Sequence, residues 1–484
     1  MPAAWEGIYS VVASFLPGGP ALVTDAQRAG IHPLNPDHGA VATAHLRPWA
    51  RALMQANQTY SVIDDLAAVC GPAGLFRHPT TVAGYMLLQA PGEIIMVSQE
   101  VAQVGVRRIY LTDHHRNSLL PTWNGESIGH WEGDSLVVDT VGFNDRSWLG
   151  TELEPHTEAL HLVERMRLVR DGRYLEIYST VDDREALSAP YSYSRYYRRD
   201  VRSFEQSALS CNADVGEQAE WVHFRDQAIG DLAAERRLET VAEPPVTPAE
   251  FSAAPSSAPP DVTPASAASL APAGLNPQLA LLDGTYDVLP TDIPIAGGDA
   301  ARGAVQAIAA TQASQVPADR RASHLDPYGL CQPLGPFRMM AQPGLRIELV
   351  AASDRLVVLF QDILHGYVRN LYLDRPHPQK LEARYGGQGD SIAQWQGDTL
   401  VVDTTGFDER TWLNEHTRAS SALHLTERLR PIDGGRLLAY QMTASDPQAL
   451  AAPYTYSRYF QRVNARIDQQ ICMPHTTWTL QDGF

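Results

Sequence analysis

The feature that most constrains this chain is an internal duplication. Residues 127–148 read SIGHWEGDSLVVDTVGFNDRSW and residues 391–412 read SIAQWQGDTLVVDTTGFDERTW, with 14 of 22 positions identical at a constant offset of 264. The match continues in LHLVERMR (160–167) against LHLTERLR (423–430), and in APYSYSRYY (189–197) against APYTYSRYF (452–460). Upstream, VRRIYL from Val106 pairs with VRNLYL from Val368, and WEGIYSV near the start echoes LDGTYDV at 282–288. Self-similarity sustained over this length means two copies of one domain. The cysteines keep the same register, since Cys70 and Cys211 are 141 residues apart and so are Cys331 and Cys472. Each copy then has one cysteine near its start and one near its end, expected as a buried thiol pair in a reducing compartment and a disulfide in an oxidising one. Neither pair has CxxC spacing, so no zinc site is expected there.

Between the copies, residues 240–278 are dominated by Pro, Ala and Ser and have few large apolar side chains. Such a segment reads as a linker, partly extended by its prolines. The expected organisation is a first domain over 1–235 with a flanking helix near 216–237, a linker over 236–279 and a second domain over 280–484.

Within each copy the runs EIIMVSQEV, RRIYLTD, SLVVDTV, ALHLVERMRLV and YLEIYSTV are short, rich in Val, Ile, Leu and Tyr, and separated by Gly, Asp, Asn or Pro. That pattern predicts an antiparallel meander. About eight such strands per copy, with an amphipathic helix near 43–57, favour closure, because closure removes the exposed edges. The expected fold is mainly β: two tandem lipocalin-like antiparallel β-barrels joined by the Pro/Ala/Ser-rich linker, with a β-sandwich as the rival. The Tyr191, Tyr193, Tyr196, Tyr197 group and its copy Tyr454, Tyr456, Tyr459 are expected as barrel core and rim rather than a stacking platform.

The charge balance narrows the partners. With 38 Lys+Arg against 56 Asp+Glu among 484 residues, the net charge is −18, which argues against nucleic acid or an anionic membrane. No stretch reaches the ~20 apolar residues of a membrane span. The amino terminus has no basic leader ahead of its short apolar stretch, so a cytoplasmic location is expected. Oligomeric state has no signature.

WEGDSLVVDTVGFNDRSW followed by HTEALHLVER resembles a large family of bacterial proteins with a motif of the form GHWEGDTLVVDTxGFN and then H[ST]xxLHxxER. The resemblance covers most of both copies; it implies the shared β domain and brings no reaction with it. Tandem lipocalin-like domains also occur in some natural-product cyclases, a likeness of architecture alone.

Strand alternation sorts the polar residues. In ALHLVERMRL, Leu160, Leu162, Glu164, Met166 and Leu168 share one face, and His161, Val163, Arg165 and Arg167 the other. Glu164 thus lies in an apolar row, as does Glu427 in the second copy. A carboxylate facing a barrel interior is either paired, with Arg107 or Arg369 as the natural partner, or protonated and suited to acid–base work. A second group, His130, Glu132 and Asp134, falls on one face of the WEGD segment. His130 and Glu132 become Gln394 and Gln396 in the second copy, whereas Asp134 and Asp139 are kept as Asp398 and Asp403, which favours a structural role for the aspartates. His156 aligns with Ala419, while His115 and His161 align with His377 and His424. The first copy is therefore the expected site of function. His156, His161 and Glu164 do not converge on one ion without a bulge, and HEXXH is absent, so no metal is expected. GxSxG, phosphate-loop and GxGxxG signatures are absent as well.

These readings lead to a cofactor-independent enzyme that binds an apolar small molecule in a barrel pocket and moves protons by isomerisation, cyclisation or elimination. Glu164 or Glu132 would be the acid or base with His156 and His130 as partners. Arg107, Tyr110, His161 and Trp131 would contact substrate, with Glu427 and Arg369 in the second copy. The alternatives are a tandem carrier of a hydrophobic ligand without chemistry, and a metal-dependent lyase or hydrolase.

Overall fold

In a computed structural model, residues 5–12, 19–33, 38–59, 74–76, 84–99, 104–200, 277–290, 334–361, 366–378, 387–407, 411–414 and 417–467 are described. The linker, the expected helix near 216–237 and all four cysteines lie outside them, apart from the linker's last residues, which open a short helix at Pro277–Ala280.

Each copy closes into a barrel, as the strand pattern predicts. Barrel 1 runs β1 (Gly7–Val11), β2 (Gly84–Ala90), β3 (Glu93–Gln99), β4 (Val104–Tyr110), β5 (Glu126–Glu132), β6 (Ser135–Val141), β7 (His161–Val169), β8 (Tyr174–Asp182) and β9 (Tyr191–Asp200), with β9 pairing back to β1. Barrel 2 runs β10 (Gly284–Val288), β11 (Arg346–Ala351), β12 (Arg355–Gln361), β13 (Gly366–Leu373), β14 (Asp390–Gln396), β15 (Thr399–Thr405), β18 (His424–Ile432), β19 (Leu437–Ser445) and β20 (Tyr454–Val463). Two short strands, β16 (Trp412–Asn414) and β17 (Thr417–Arg418), form a separate ribbon.

The strand number is nine rather than about eight, and this has a topological consequence. Directions around a closed ring must match when the ring is completed, so an odd number of strands cannot be joined by antiparallel pairs alone. The parallel join falls between β4 and β5, where only Ile109↔Ser127 and Tyr110↔Ile128 pair. Barrel 2 repeats it at Tyr372↔Ile392 and Leu373↔Ala393. The wall of barrel 1 is therefore thin between Val104–Arg108 and the segment 121–125, where the Asn124 side-chain amide reaches the Val106 carbonyl at 3.5 Å.

The helix expected over 43–57 is two helices, α2 (His38–His45) and α3 (Pro48–Thr59), after an earlier α1 (Gly19–Ala29). Pro48 explains the break, since proline suits the first helical position but pushes its predecessor out of the helical region. Ala42, Leu46, Trp49 and Met54 pack with Phe143, Leu162, Tyr191 and Tyr193 at one end of barrel 1. A second cluster at the other end holds Trp5, Tyr9, Leu136, Met166 and Tyr197. The core of barrel 1 is thus split in two, whereas that of barrel 2 is one continuous cluster.

The two barrels pack against each other through the outer faces of their first strands. Ile8, Met86, Leu88, Ile95 and Val97 meet Val350, Val357, Leu359 and Val368 in one apolar cluster. Among the described residues, no helix is long and apolar enough to cross a membrane.

Candidate functional site

The polar layer inside barrel 1 follows from strand alternation. β7 buries Leu162, Glu164 and Met166 and leaves His161, Val163 and Arg165 on the outside. Glu164 sits between the two halves of the core and is paired with Arg107 of β4, both nearly buried at 6% and 5% exposure. Arg107 Nε donates to Ser127 Oγ at 3.0 Å, and Nη2 donates to Thr140 Oγ1 at 3.0 Å as well as to Glu164 Oε2. Tyr193 belongs to the same layer; burial first, and then the Glu164 charge, push its hydroxyl up to about 12. The ion pair expected between Glu164 and Arg107 is what holds this carboxylate in the apolar row.

Barrel 2 builds the same pair with one difference. Arg369 uses both terminal nitrogens on Glu427, Nη1 to Oε1 at 3.0 Å and Nη2 to Oε2, while Nε and Nη2 hold Ser391 and Thr404. Tyr440 then donates its hydroxyl to Glu427 Oε1 at 2.7 Å. The position of Tyr440, opposite Leu429, corresponds to Ile177, opposite Met166. Isoleucine has no hydroxyl to offer. Among the described residues, Arg107 Nη1 and Glu164 Oε1 have no hydrogen-bond partner, so the pair of barrel 1 is half open and that of barrel 2 is closed.

Arg107 also belongs to the wall of a cavity of about 270 Å³ at the thin β4–β5 join, shared with Val106, Arg108, Tyr110, Trp123 and Asn124. Two further polar atoms in this wall are buried without partners, Trp123 Nε1 and Asn124 Oδ1. Tyr110 and Arg107, both expected to orient a ligand, are thus brought together. Trp123 and Asn124 escaped sequence reasoning, because the second copy has Gly387 and Gln388 there.

The remaining expected site residues lie elsewhere. His130 and Glu132 are on the outer surface at the β5–β6 hairpin, with side chains 62% and 49% exposed. They bond each other at 3.2 Å, and Glu132 accepts from Arg165 at 2.8 Å. They do not join Glu164, which is on the opposite face of the wall. Trp131 is half-buried and packs edge-on against Trp5, with ring centroids 5.0 Å apart. His156 is buried, its Nε2 accepting from Ser147 Oγ at 2.8 Å while Nδ1 faces the Thr157 carbonyl at 3.2 Å. That resembles a serine–histidine dyad, but Ser147 and His156 are 2% and 3% exposed beneath residues 74–76, and the second copy keeps only a hydroxyl at Thr411. The pair is enclosed among its neighbours and is not part of the cavity wall at the β4–β5 join.

His161 joins a chain on the outer wall instead. His115 Nδ1 meets Glu126 at 3.2 Å, His115 Nε2 meets Asp139 Oδ1 at 2.8 Å, and His161 Nε2 meets Asp139 Oδ2 at 2.8 Å. Barrel 2 repeats every link with His377, Asp390, Asp403 and His424. Asp139, expected in a turn, instead bridges two histidines from separate segments of the wall, as Asp403 does in barrel 2. Burial acts to raise the Asp139 carboxyl, but the hydrogen bonds of the two histidines outweigh it and hold it well below the usual range. For His115, burial is opposed and overcome by the hydrogen bonds to Asp139 and Glu126, and for His161 the bond to Asp139 leads; both imidazoles are pushed up. Burial pushes His156 down.

The sign of the pH effect follows. The raised histidines contribute stability that is full below their unfolded value of about 6.5 and is lost as pH rises through their higher folded values. Imidazole NMR titration should place His115 and His161 above about 6.5 and His156 below it. The variant His161→Gln should flatten the loss of stability between neutral and alkaline pH; an unchanged profile would reject the bridge as a stabilising element.

Among the described residues, no cluster of three or more His, Cys, Asp or Glu side chains is arranged to hold a metal ion. No family model matches the chain, and no curated protein matches it. Among solved structures, it is similar to a protein of unknown function from the DUF3598 family of Nostoc punctiforme, at 8% identity over 79% of this chain and 88% of that one, with a TM-score of 0.15. A likeness at that level carries no inference about function.

Proposed function

We propose that the protein binds a small molecule in barrel 1, through the cavity at the β4–β5 join, with the Arg107–Glu164 pair as its polar anchor and an apolar body lying against Val106 and Trp123. The observation that supports this reading is the half-open pair. Barrel 2 uses the two corresponding atoms within its own chain, whereas the hydrogen bonds of the barrel 1 pair run through Arg107 Nε and Nη2 and Glu164 Oε2. A cavity of about 270 Å³, just below the ~300–1,000 Å³ range of ligand pockets, has Arg107 of this pair in its wall. Barrel 2 then serves as a packed support.

A second reading, an acid–base enzyme without a cofactor, is favoured by one atom. Glu164 Oε1 has no hydrogen bond and so has a lone pair to receive a proton, with Arg107 beside it to polarise a carbonyl. Ligand extraction from purified protein followed by mass spectrometry tests the binding reading, with Arg107→Met as the comparison. Retention of a small molecule by the parent and its loss in the variant is expected. Equal recovery from both would place binding elsewhere. Glu164→Gln separates the two readings: an enzyme loses turnover and keeps affinity, while a carrier changes in affinity alone.

A further inference from the structure

We propose that α2 and α3 form a gate over one end of barrel 1, hinged at residues 45–49 and released when the Glu154 carboxyl on its far side gives up a proton to solvent. The hinge is built on backbone carbonyls. Arg47 N donates to Ala186 O at 2.9 Å, Ser188 N to His45 O at 2.8 Å, and Trp49 Nε1 to Glu185 O at 2.9 Å. The far side rests on the connection between β6 and β7. There Thr43 Oγ1 of α2 donates to Glu154 Oε1 at 3.0 Å, and Asn57 Nδ2 of α3 to Leu153 O at 3.4 Å. Gln58 Nε2 of α3 donates to Glu152 O at 3.1 Å.

Two features make the far side the one that yields. Leu153 has a φ of 64°, a left-handed conformation that costs a leucine free energy and persists only where its surroundings impose it. Glu154 is fully buried, yet its Oε2 is without a hydrogen-bond partner among the described residues, as is the buried Tyr191 hydroxyl of β9. A buried carboxylate with one oxygen unmet is the costly form, and the neutral acid is the tolerated one. Burial pushes the Glu154 carboxyl up and Glu152 adds to it, against the hydrogen bond from Thr43. The other titratable or charged groups of these elements are Tyr191; His45, stacked on its ring; Arg51, whose Nη2 donates to Thr43 O at 2.7 Å; and His156, bonded to Ser147. The second copy has Thr417 in place of Glu154, in a connection one residue shorter, so the gate belongs to the first copy. Beneath Ala42, Leu46, Trp49 and Met54 lie Leu162 and Tyr193. Lifting the gate therefore uncovers a way to the Glu164 layer from the barrel end, separate from the β4–β5 cavity.

The sign of the effect is fixed. A carboxyl held up in the closed gate returns to about 4.3 when the gate lifts. Closure is therefore fullest in acid and weakens as pH rises through the closed-state value, by about tenfold for each unit of difference. Hydrogen exchange of the full chain, read by mass spectrometry at about pH 5.5 and about pH 8 and corrected for intrinsic rates, measures the opening. Protection of α2 and α3 relative to β7 is expected to fall about tenfold or more between the two in the parent. It should stay level in Glu154→Gln, which still accepts from Thr43 and cannot ionise. A level ratio in the parent, or an equal fall in Glu154→Gln, would overturn the proposal. If Glu154→Gln lacks native circular dichroism, Thr43→Val decides: lower protection of both helices at the acid pH is expected, and protection equal to the parent's would overturn the gate.

Discussion

Replacing Glu164 by leucine is expected to destabilise barrel 1 by about 3–5 kcal/mol, although leucine suits an apolar row. The loss comes from Arg107, which remains charged in the middle of the barrel with only Ser127 and Thr140 as partners. Taking both members away removes the problem, so Arg107→Met combined with Glu164→Leu should recover most of the loss or exceed the parent. In barrel 2, Glu427→Leu is expected to cost at least as much, since it also strands the Tyr440 hydroxyl, buried at 2% exposure. Urea denaturation followed by tryptophan fluorescence gives both values. A double variant as unstable as the single one would show that the pair stabilises through its geometry rather than through mutual neutralisation.

The second large effect is expected at the contact between barrels, from Arg108→Met. Arg108 of barrel 1 donates to Glu93 at 3.2 Å, to Glu348 of barrel 2, and to the Ile467 carbonyl at 2.9 Å. All three charged side chains are 5% exposed or less. Without the guanidinium, Glu93 and Glu348 remain as two buried carboxylates, partly held by Arg466 at 2.9 Å and by the Ile467 amide at 3.0 Å. Burial already pushes the Glu348 carboxyl up against the attraction of Arg108. A loss of about 3–5 kcal/mol is expected, drawn from the coupling between barrels rather than from either core. Calorimetry should then show two separated unfolding transitions in place of coupled ones. Adding Glu348→Met, the residue at the corresponding position of barrel 1, should restore part of the coupling; an unchanged thermogram for Arg108→Met would assign the coupling to the apolar cluster alone.

How far the sequence reached depends on the range of each interaction. The duplication, the two barrels and the orientation of Glu164 were legible, because side-chain alternation in a strand has a period of two and needs no tertiary information. The same rule separated His161 from Glu164 correctly. It also grouped His130 with Glu132, which do touch, but it could not say that this face is the outside of the barrel and remote from Glu164. The bridge through Asp139 was missed because its histidines are 22 and 24 residues away in the chain.

By itself, the sequence determined that two copies of one β domain exist, which residues share each face of a strand, and that each interior carboxylate is either paired or protonated. Those are local or symmetric properties, repeated in both copies. Only the tertiary structure decided which atoms of the cation remain unused. The partner of Glu164 lies 57 residues away, and whether the pair is open depends on a third strand, where Ile177 stands in one barrel and Tyr440 in the other. The parallel join that thins the wall is likewise a property of nine strands closing on themselves, invisible in any single strand. The two repeats differ there because ring closure brings strands from distant parts of the chain to one point, where barrel 2 adds a second Arg369–Glu427 hydrogen bond and the Tyr440 hydroxyl.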